Sequence, residues 1–130
     1  MLKDASLFLG QWELLAELND YQHGPVPRDG VYGISSHAYG LAFVIDWHDA
    51  KGTAHHVHFS LSWHGDEPAS LELVDSHTLN TAVEKDGQVI AFATRRLSDD
   101  GSHMEVTQQG VTPEGKPFTN RARYVKKVRS

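Results

Sequence analysis

The chain has 130 residues, no cysteine and a formal net charge of −5. This length fits one domain with a sizeable core, and the lack of cysteine excludes a disulfide framework and a zinc–thiolate site. The acidic balance argues against nucleic acid as a partner, because phosphate contacts need clustered lysine and arginine.

The first ten residues lack the long apolar core and the small-residue cleavage site of a signal peptide. The sequence also contains no apolar run long enough to predict a membrane span. We therefore expect a soluble, cytoplasmic protein, which agrees with the absence of cysteine. Residues 3–9 are predicted to form a short helical turn that plugs one end of the fold.

A four-residue turn pattern recurs along the chain. Its four copies are Asp49-Ala50-Lys51-Gly52, Glu84-Lys85-Asp86-Gly87, Ser98-Asp99-Asp100-Gly101 and Thr112-Pro113-Glu114-Gly115. Each copy predicts a type I turn closed by a glycine at positive φ, the signature of a three-residue hairpin loop. Repeated hairpins at short spacing indicate an up-and-down meander.

The pattern between these turns predicts about nine strands, within the usual range for one sheet. They cover residues 11–17, 31–35, 41–48, 54–63, 70–74, 78–84, 88–97, 103–110 and 118–128. An open sheet of this size would expose its edges, and closure removes them. The sequence thus predicts one all-β domain over residues 1–130, an antiparallel up-and-down barrel.

The first of these turns also predicts a register, with Asp49 opposite Thr53. Counting outward from that pair gives one almost wholly apolar face, made of Leu41, Phe43, Ile45, Trp47, His55, Val57, Phe59 and Leu61. A slip of one residue would mix this set with the polar residues between them. We therefore expect this face to point into the barrel.

The same count applied to the last two hairpins aligns Arg95, Glu105 and Arg123 in one row, an alternating charge ladder. The opposite face is apolar with polar groups set into it: Ile90, Phe92, Thr94, Arg96, Met104, Val106, Gln108, Phe118, Asn120, Ala122 and Tyr124. We take this second face as the one that points inward.

Gly10-Gln11-Trp12, which opens the first strand after a short helical lead, resembles the N-terminal signature of lipocalins and their calycin relatives. The segments 75–87 and 115–124 are similar to small bacterial lipocalin-like proteins of unassigned function, and the length matches the fatty-acid-binding branch. The resemblance implies a structural role for Gly10 and Trp12, with Arg121 or Arg123 of the last strand packed across the tryptophan ring.

A barrel of this kind predicts non-covalent binding of a small hydrophobic or amphipathic molecule in its interior. The predicted ligand-binding residues are Phe43, Phe59, Trp63, Phe92, Arg96, Met104, Gln108, Asn120 and Tyr124. Two alternatives stay open. One is an enzyme that uses the cavity, either an isomerase or a haem protein. The other is a structural or interaction module whose interior is packed solid.

Nine histidines raise the question of a metal site. Asp46, His56 and His58 are the residue types that ligate zinc or non-haem iron. They lie on the face without the aromatic residues, however, so we expect them to be solvated, and we predict no metal and no cofactor.

The haem alternative resembles the nitrobindin-like branch, which has further glycines after its tryptophan. Here Glu13-Leu14-Leu15 follows Trp12, which departs from that pattern. On the outer face of the first hairpin, Ala42, Val44 and His58, with Tyr39 nearby, are predicted as a possible homodimer patch.

Overall fold

The structure is a computed structural model that describes residues 5–22, 24–37, 39–63, 69–85 and 88–127. Its strands are β1 (Gly10–Leu14), β2 (Asp20–Tyr21), β3 (Asp29–His37), β4 (Gly40–His48), β5 (Ala54–Ser62), β6 (Ala69–Asp75), β7 (Thr78–Lys85), β8 (Gln88–Leu97), β9 (His103–Val111) and β10 (Pro117–Lys126). The helical segments within the described residues are two short 3-10 turns, Ser6–Phe8 and Ala16–Leu18. The predicted all-β fold is confirmed.

The strands form one antiparallel sheet in the order β5-β4-β3-β1-β10-β9-β8-β7-β6, with β2 paired to β10. The two end strands approach each other at a bridge between Trp63 and Leu71. The sheet therefore curls into a nearly closed up-and-down barrel. None of the helices in the described part of the chain could cross a membrane.

The β4–β5 hairpin has the predicted register. The amide of Asp49 donates to the carbonyl of Thr53 over 3.0 Å, and Gly52 closes the turn at φ 88°. Phe43 consequently lies opposite Phe59 along an unbroken ladder. The turn and the apolar alternation agree, as expected where both specify one register.

The β8–β9 hairpin differs from the prediction because its loop contains one more residue. The amide of Ser98 donates to the carbonyl of His103 rather than to that of Ser102. The Asp100 carboxylate accepts bonds from the Ser98 hydroxyl and from the amide and hydroxyl of Ser102, which keeps Ser102 inside the loop.

This extra residue shifts β8 by one position against β9 and exchanges its two faces. Arg96, not Arg95, lies opposite Glu105. Across the β9–β10 hairpin, whose register is as predicted, Arg123 also pairs with Glu105. The predicted row of Arg95, Glu105 and Arg123 is therefore wrong, and the row in the fold contains Arg96.

One end of the barrel is packed solid around Trp12. This side chain is fully buried, and its Nε1 donates to the carbonyl of Phe8 in the first 3-10 turn over 3.0 Å. The cluster around it comprises Phe8, Tyr32, Ile34, Leu41, Phe43, Leu71, Leu73, Leu79, Leu97 and Met104. The N-terminal turn thus closes this end of the barrel.

The cation that packs on Trp12 is a lysine. Lys126 Nζ lies 5.2 Å from the centroid of the Trp12 ring, because the two residues are Cα partners in the β1–β10 ladder. Arg121 is exposed opposite Asp20, and Arg123 pairs with Glu105 at 3.2 Å. The predicted arginine over the tryptophan is therefore wrong.

Candidate binding site

The other end of the barrel encloses a cavity of about 730 Å³. Binding sites for small molecules are typically roughly 300–1,000 Å³. The cavity is lined by Leu14, Tyr21, Pro25, Pro27, Gly30, Tyr32, Ile45, Trp47, Val57, Phe59, Leu61, Thr81, Ala82, Val83, Ala91, Phe92, Ala93, Arg95, Val106, Gln108, Asn120, Ala122 and Tyr124. A solid interior therefore describes only the half of the barrel around Trp12.

The apolar wall on one side comes from the alternation of β4 and β5. Ile45 and Trp47 of β4, and Val57 and Phe59 of β5, all border the cavity. Beneath Phe59, the fully buried ring of Phe43 stacks on it at 5.0 Å between centroids. Phe43 thus belongs to the packed end and supports the wall from below.

Among the described residues that line this cavity, the charged one is Arg95. Its side chain lines the cavity although the residue is only 5% exposed. Nε and Nη2 donate to the Tyr32 hydroxyl oxygen over 2.9 and 2.6 Å, and Nη1 donates to Thr81 Oγ1 over 2.9 Å. These bonds use three of the five N–H groups of the guanidinium, and both acceptors are neutral.

None of the ion pairs between described residues involves Arg95. Its Cζ lies 5.0 Å from the Phe43 centroid and 5.6 Å from the Tyr32 centroid, so two ring faces contribute cation–π attraction. Burying a charge without a counter-ion is costly. The cavity therefore holds a positive charge beside the packed end. Among the described residues, its hydrogen-bond partners are neutral hydroxyl groups.

Polar groups on the β9–β10 side complete the lining. Tyr124 packs edge-on against Tyr32, with ring centroids 5.5 Å apart. Burial raises the pKa of the Tyr124 hydroxyl, so this group stays protonated. Asn120 Oδ1 accepts a bond from the amide of Gln22 over 2.8 Å, which ties the segment after β2 to β10 beside the cavity.

The structure sorts the predicted ligand-binding residues into three groups. Lining the cavity are Phe59, Phe92, Gln108, Asn120 and Tyr124. Packed into or against the closed end instead are Phe43, Met104 and Trp63. Arg96 is exposed on the outer face, because the longer β8–β9 loop exchanges the two faces of β8. Its predicted place inside the barrel is therefore wrong.

The sequence analysis does not predict Arg95 or Tyr32 as lining residues. The face of β8 that carries Arg95 depends on the length of the β8–β9 loop, which the sequence predicts one residue too short. The Ser-Asp-Asp-Gly-Ser order at the turn is the one available signal, because Asp100 flanked by two serines has bonding partners for a longer loop.

The candidate metal ligands lie on the outer surface. His56 Nδ1 contacts Asp46 Oδ1 at 2.5 Å, and both side chains are more than half exposed. His58 is also exposed and lies opposite Val44. In the described ranges, no group of three or more histidine, cysteine, aspartate or glutamate side chains is placed to hold a metal ion.

One histidine lies at the rim of the cavity. His55 stacks on Trp47 with 5.0 Å between ring centroids, and its Nε2 contacts Asp49 Oδ2 at 2.8 Å. Among the described residues that line the cavity itself there is no histidine. The described part of the lining therefore offers no imidazole as an axial ligand for haem.

No protein-family model and no curated protein match this sequence. Solved structures do match. Crystal structures of two mutants of the fluorescent protein UnaG give TM-scores of 0.58 and 0.57 at 15% and 16% identity, over 97% and 92% of this chain and 100% and 95% of theirs. Zebrafish ileal bile acid-binding protein complexed with cholic acid gives 0.50 at 14% identity, over 94% of this chain and 99% of that one.

These identities are low, so the likeness concerns the fold. Over nearly its whole length, the chain has the same type of antiparallel β-barrel fold as these proteins.

Proposed function

We propose that this protein binds, without covalent chemistry, a small amphipathic molecule whose anionic group contacts Arg95. The observation that carries the proposal is the burial of the Arg95 guanidinium in the cavity. Among the described residues, it donates hydrogen bonds to neutral hydroxyl groups and pairs with no carboxylate. An anion would gain charge-assisted hydrogen bonds there and would neutralise a buried charge.

The rest of the cavity fits the apolar part of such a molecule. Aromatic and aliphatic side chains such as Phe59 and Ile45 form most of the wall, and few polar groups interrupt it. One protein of the same fold has been solved with cholic acid, an amphipathic carboxylic acid. A cytoplasmic setting, expected from the absence of cysteine, belongs to the same proposal.

Binding is favoured over the two enzymatic alternatives. Haem chemistry would need an axial ligand, and no described residue of the lining is a histidine. An isomerase would need a group that moves protons, whereas burial raises the pKa of two of the lining tyrosines, Tyr21 and Tyr124.

The test compares dodecanoate with dodecanol by isothermal titration calorimetry. The two ligands share an alkyl chain and differ in charge. We expect the full-length protein to bind the acid about tenfold or more tightly than the alcohol, equivalent to about 1.4 kcal/mol. Arg95→Met should abolish this preference, because it removes the cation and keeps an unbranched apolar side chain.

Arg96→Met is the matched control, since it makes the same change one residue along on the outer face. It should leave both affinities unchanged. Equal affinity of the wild-type protein for acid and alcohol, or an acid preference that survives in Arg95→Met, would show that Arg95 does not recognise an anion.

A further inference from the structure

The two strands that end the sheet differ in how their free edges are protected. β6 carries Glu72 and Asp75 and has a register irregularity between Leu73 and Asp75. Charges and bulges of this kind prevent a strand edge from pairing with another chain. β6 is thus a protected edge.

β5 has none of these protections. Its nine residues, Ala54–Ser62, pair with β4 without a bulge, and they include no proline, lysine, arginine, aspartate or glutamate. Long and regular edges of this type are templates for strand addition.

The ladder with β4 shows which backbone groups of β5 face outward. Asp49 N donates to Thr53 O, and Trp63 N donates to Tyr39 O, so the odd-numbered positions of this strand exchange bonds with β4. In an antiparallel ladder the alternate residues direct their N–H and C=O groups the other way. These residues are Ala54, His56, His58, Ser60 and Ser62.

The free edge also leaves apolar surface uncovered. Residues 54–58 are all exposed, and Val57 retains 38% exposure although it borders the cavity. Trp63, which bridges to Leu71 of β6, lies beyond the last residue of β5. Within the described residues, the stretch around Val57 is therefore open to a further strand.

We propose that β5 pairs antiparallel with β5 of a second copy of this chain, with the two-fold axis at Val57. The two Val57 residues then face each other as a non-hydrogen-bonded pair, where side chains are closest. His56 lies opposite His58 of the other copy, and Ala54 lies opposite Ser60. All outward N–H and C=O groups from Ala54 to Ser60 then gain partners.

Three properties of β5 favour a second copy as the occupant. The strand contains no lysine, arginine, aspartate or glutamate, so two copies meet without repulsion between such side chains. The exposed β-branched valine meets its own equivalent, a favourable cross-strand pair. The paired stretch ends at Ser60, before Trp63 and its bridge to β6. This contact lies along the strand edge, unlike the outer-face patch around Ala42 and Val44.

The first test measures the mass of the full-length protein in solution by light scattering, from low to high micromolar concentration. We expect a concentration-dependent dimer. His58→Pro removes an outward N–H and leaves the bonds to β4 intact, which an edge strand tolerates. It should raise the dimer dissociation constant about tenfold or more.

A second variant covers the case in which His58→Pro does not fold. His56→Lys combined with His58→Lys places four positive charges around the axis and should also give monomers. His103→Lys, on the interior strand β9, makes the same kind of change and should leave the dimer unaffected.

Because the described chain has no cysteine, a single introduced thiol reports the register. Val57→Cys brings two thiols together on the axis and should form a disulfide-linked dimer under oxidised glutathione. His55→Cys, which lies opposite Phe59 of the other copy, should not. A wild-type monomer at every concentration, a dimer unchanged by both edge variants, or cross-linking through position 55 in place of 57 would overturn the proposal.

Discussion

Tyr32 holds the guanidinium of Arg95 through two hydrogen bonds to one oxygen. Nη2 donates over 2.6 Å and Nε over 2.9 Å, and both residues are buried. Tyr32 comes from β3 and Arg95 from β8, which are not neighbours in the sheet. The neutral hydroxyl of Tyr32 on one wall of the barrel thus positions the guanidinium of Arg95, which comes from another wall.

Tyr32→Phe tests this contact because it removes the hydroxyl and keeps the ring. Hydrogen bonds to charged groups contribute about 1.5–3 kcal/mol, and we expect a loss of this size in the free energy of unfolding measured with urea. Tyr39→Phe is the control, since Tyr39 is 85% exposed. Equal stability of Tyr32→Phe and the wild-type protein would show that this bond contributes nothing.

Trp12→Ala should destabilise the closed end. The side chain is fully buried among Phe8 and its neighbours, and large-to-small changes of this kind cost about 3–5 kcal/mol. Denaturant melts measure the loss, with Tyr39→Ala as a surface reference. A loss under about 1 kcal/mol, typical of surface positions, would contradict the role of Trp12 in the core.

Gly40→Ala should disrupt the start of β4. A Cβ added at Gly40 would lie 1.8 Å from the carbonyl oxygen of Leu61, and because this atom belongs to the paired backbone the two strands would have to separate. We expect a loss of about 3 kcal/mol or more.

The matched control for this change is Gly33→Ala. There the nearest atom to an added Cβ is Val44 O at 3.6 Å, an ordinary contact. Alanine should be tolerated or slightly stabilising at this strand position. Equal melting temperatures for the two variants would rule out the close approach of Gly40 to the backbone of Leu61.

Asp100 makes stability depend on pH. Its bonds from Ser102 and Ser98 hold the pKa of the carboxyl well below its usual range in the folded protein. Because the folded pKa is lower than the unfolded one, the stabilisation is present above about pH 4 and is lost as the pH falls further.

Asp100→Asn should therefore reduce the fall in melting temperature on acidification below about pH 4. Asp99→Asn, at the adjacent exposed loop position, is the control and should retain the wild-type profile. An identical acid profile for Asp100→Asn and the wild-type protein would contradict the prediction.

Local pattern was enough to predict much of this barrel. In the β4–β5 hairpin, turn residues and apolar alternation specify the same pairing, so the register and the inward face follow from the sequence. The solvated positions of His56 and His58 follow similarly, from the face opposite the aromatic residues. The place of Trp12 in the core follows from the resemblance of Gly10-Gln11-Trp12 to the lipocalin signature.

The identity of the charged group inside the barrel could not be predicted in this way. A slip of one residue exchanges every side chain of a strand between the two faces, and the length of the β8–β9 loop depends on bonds that Asp100 makes in the folded state. The cation over Trp12 is likewise decided by the β1–β10 pairing, which joins the two ends of the chain.

The sequence by itself therefore determined the barrel, its first hairpin and an interior with apolar walls, because these depend on short-range alternation and turn chemistry. Only the tertiary structure decided that Arg95 enters the cavity and that Phe43 and Met104 close its other end. Those outcomes depend on the register and volume of side chains from strands far apart in sequence, which no local pattern contains.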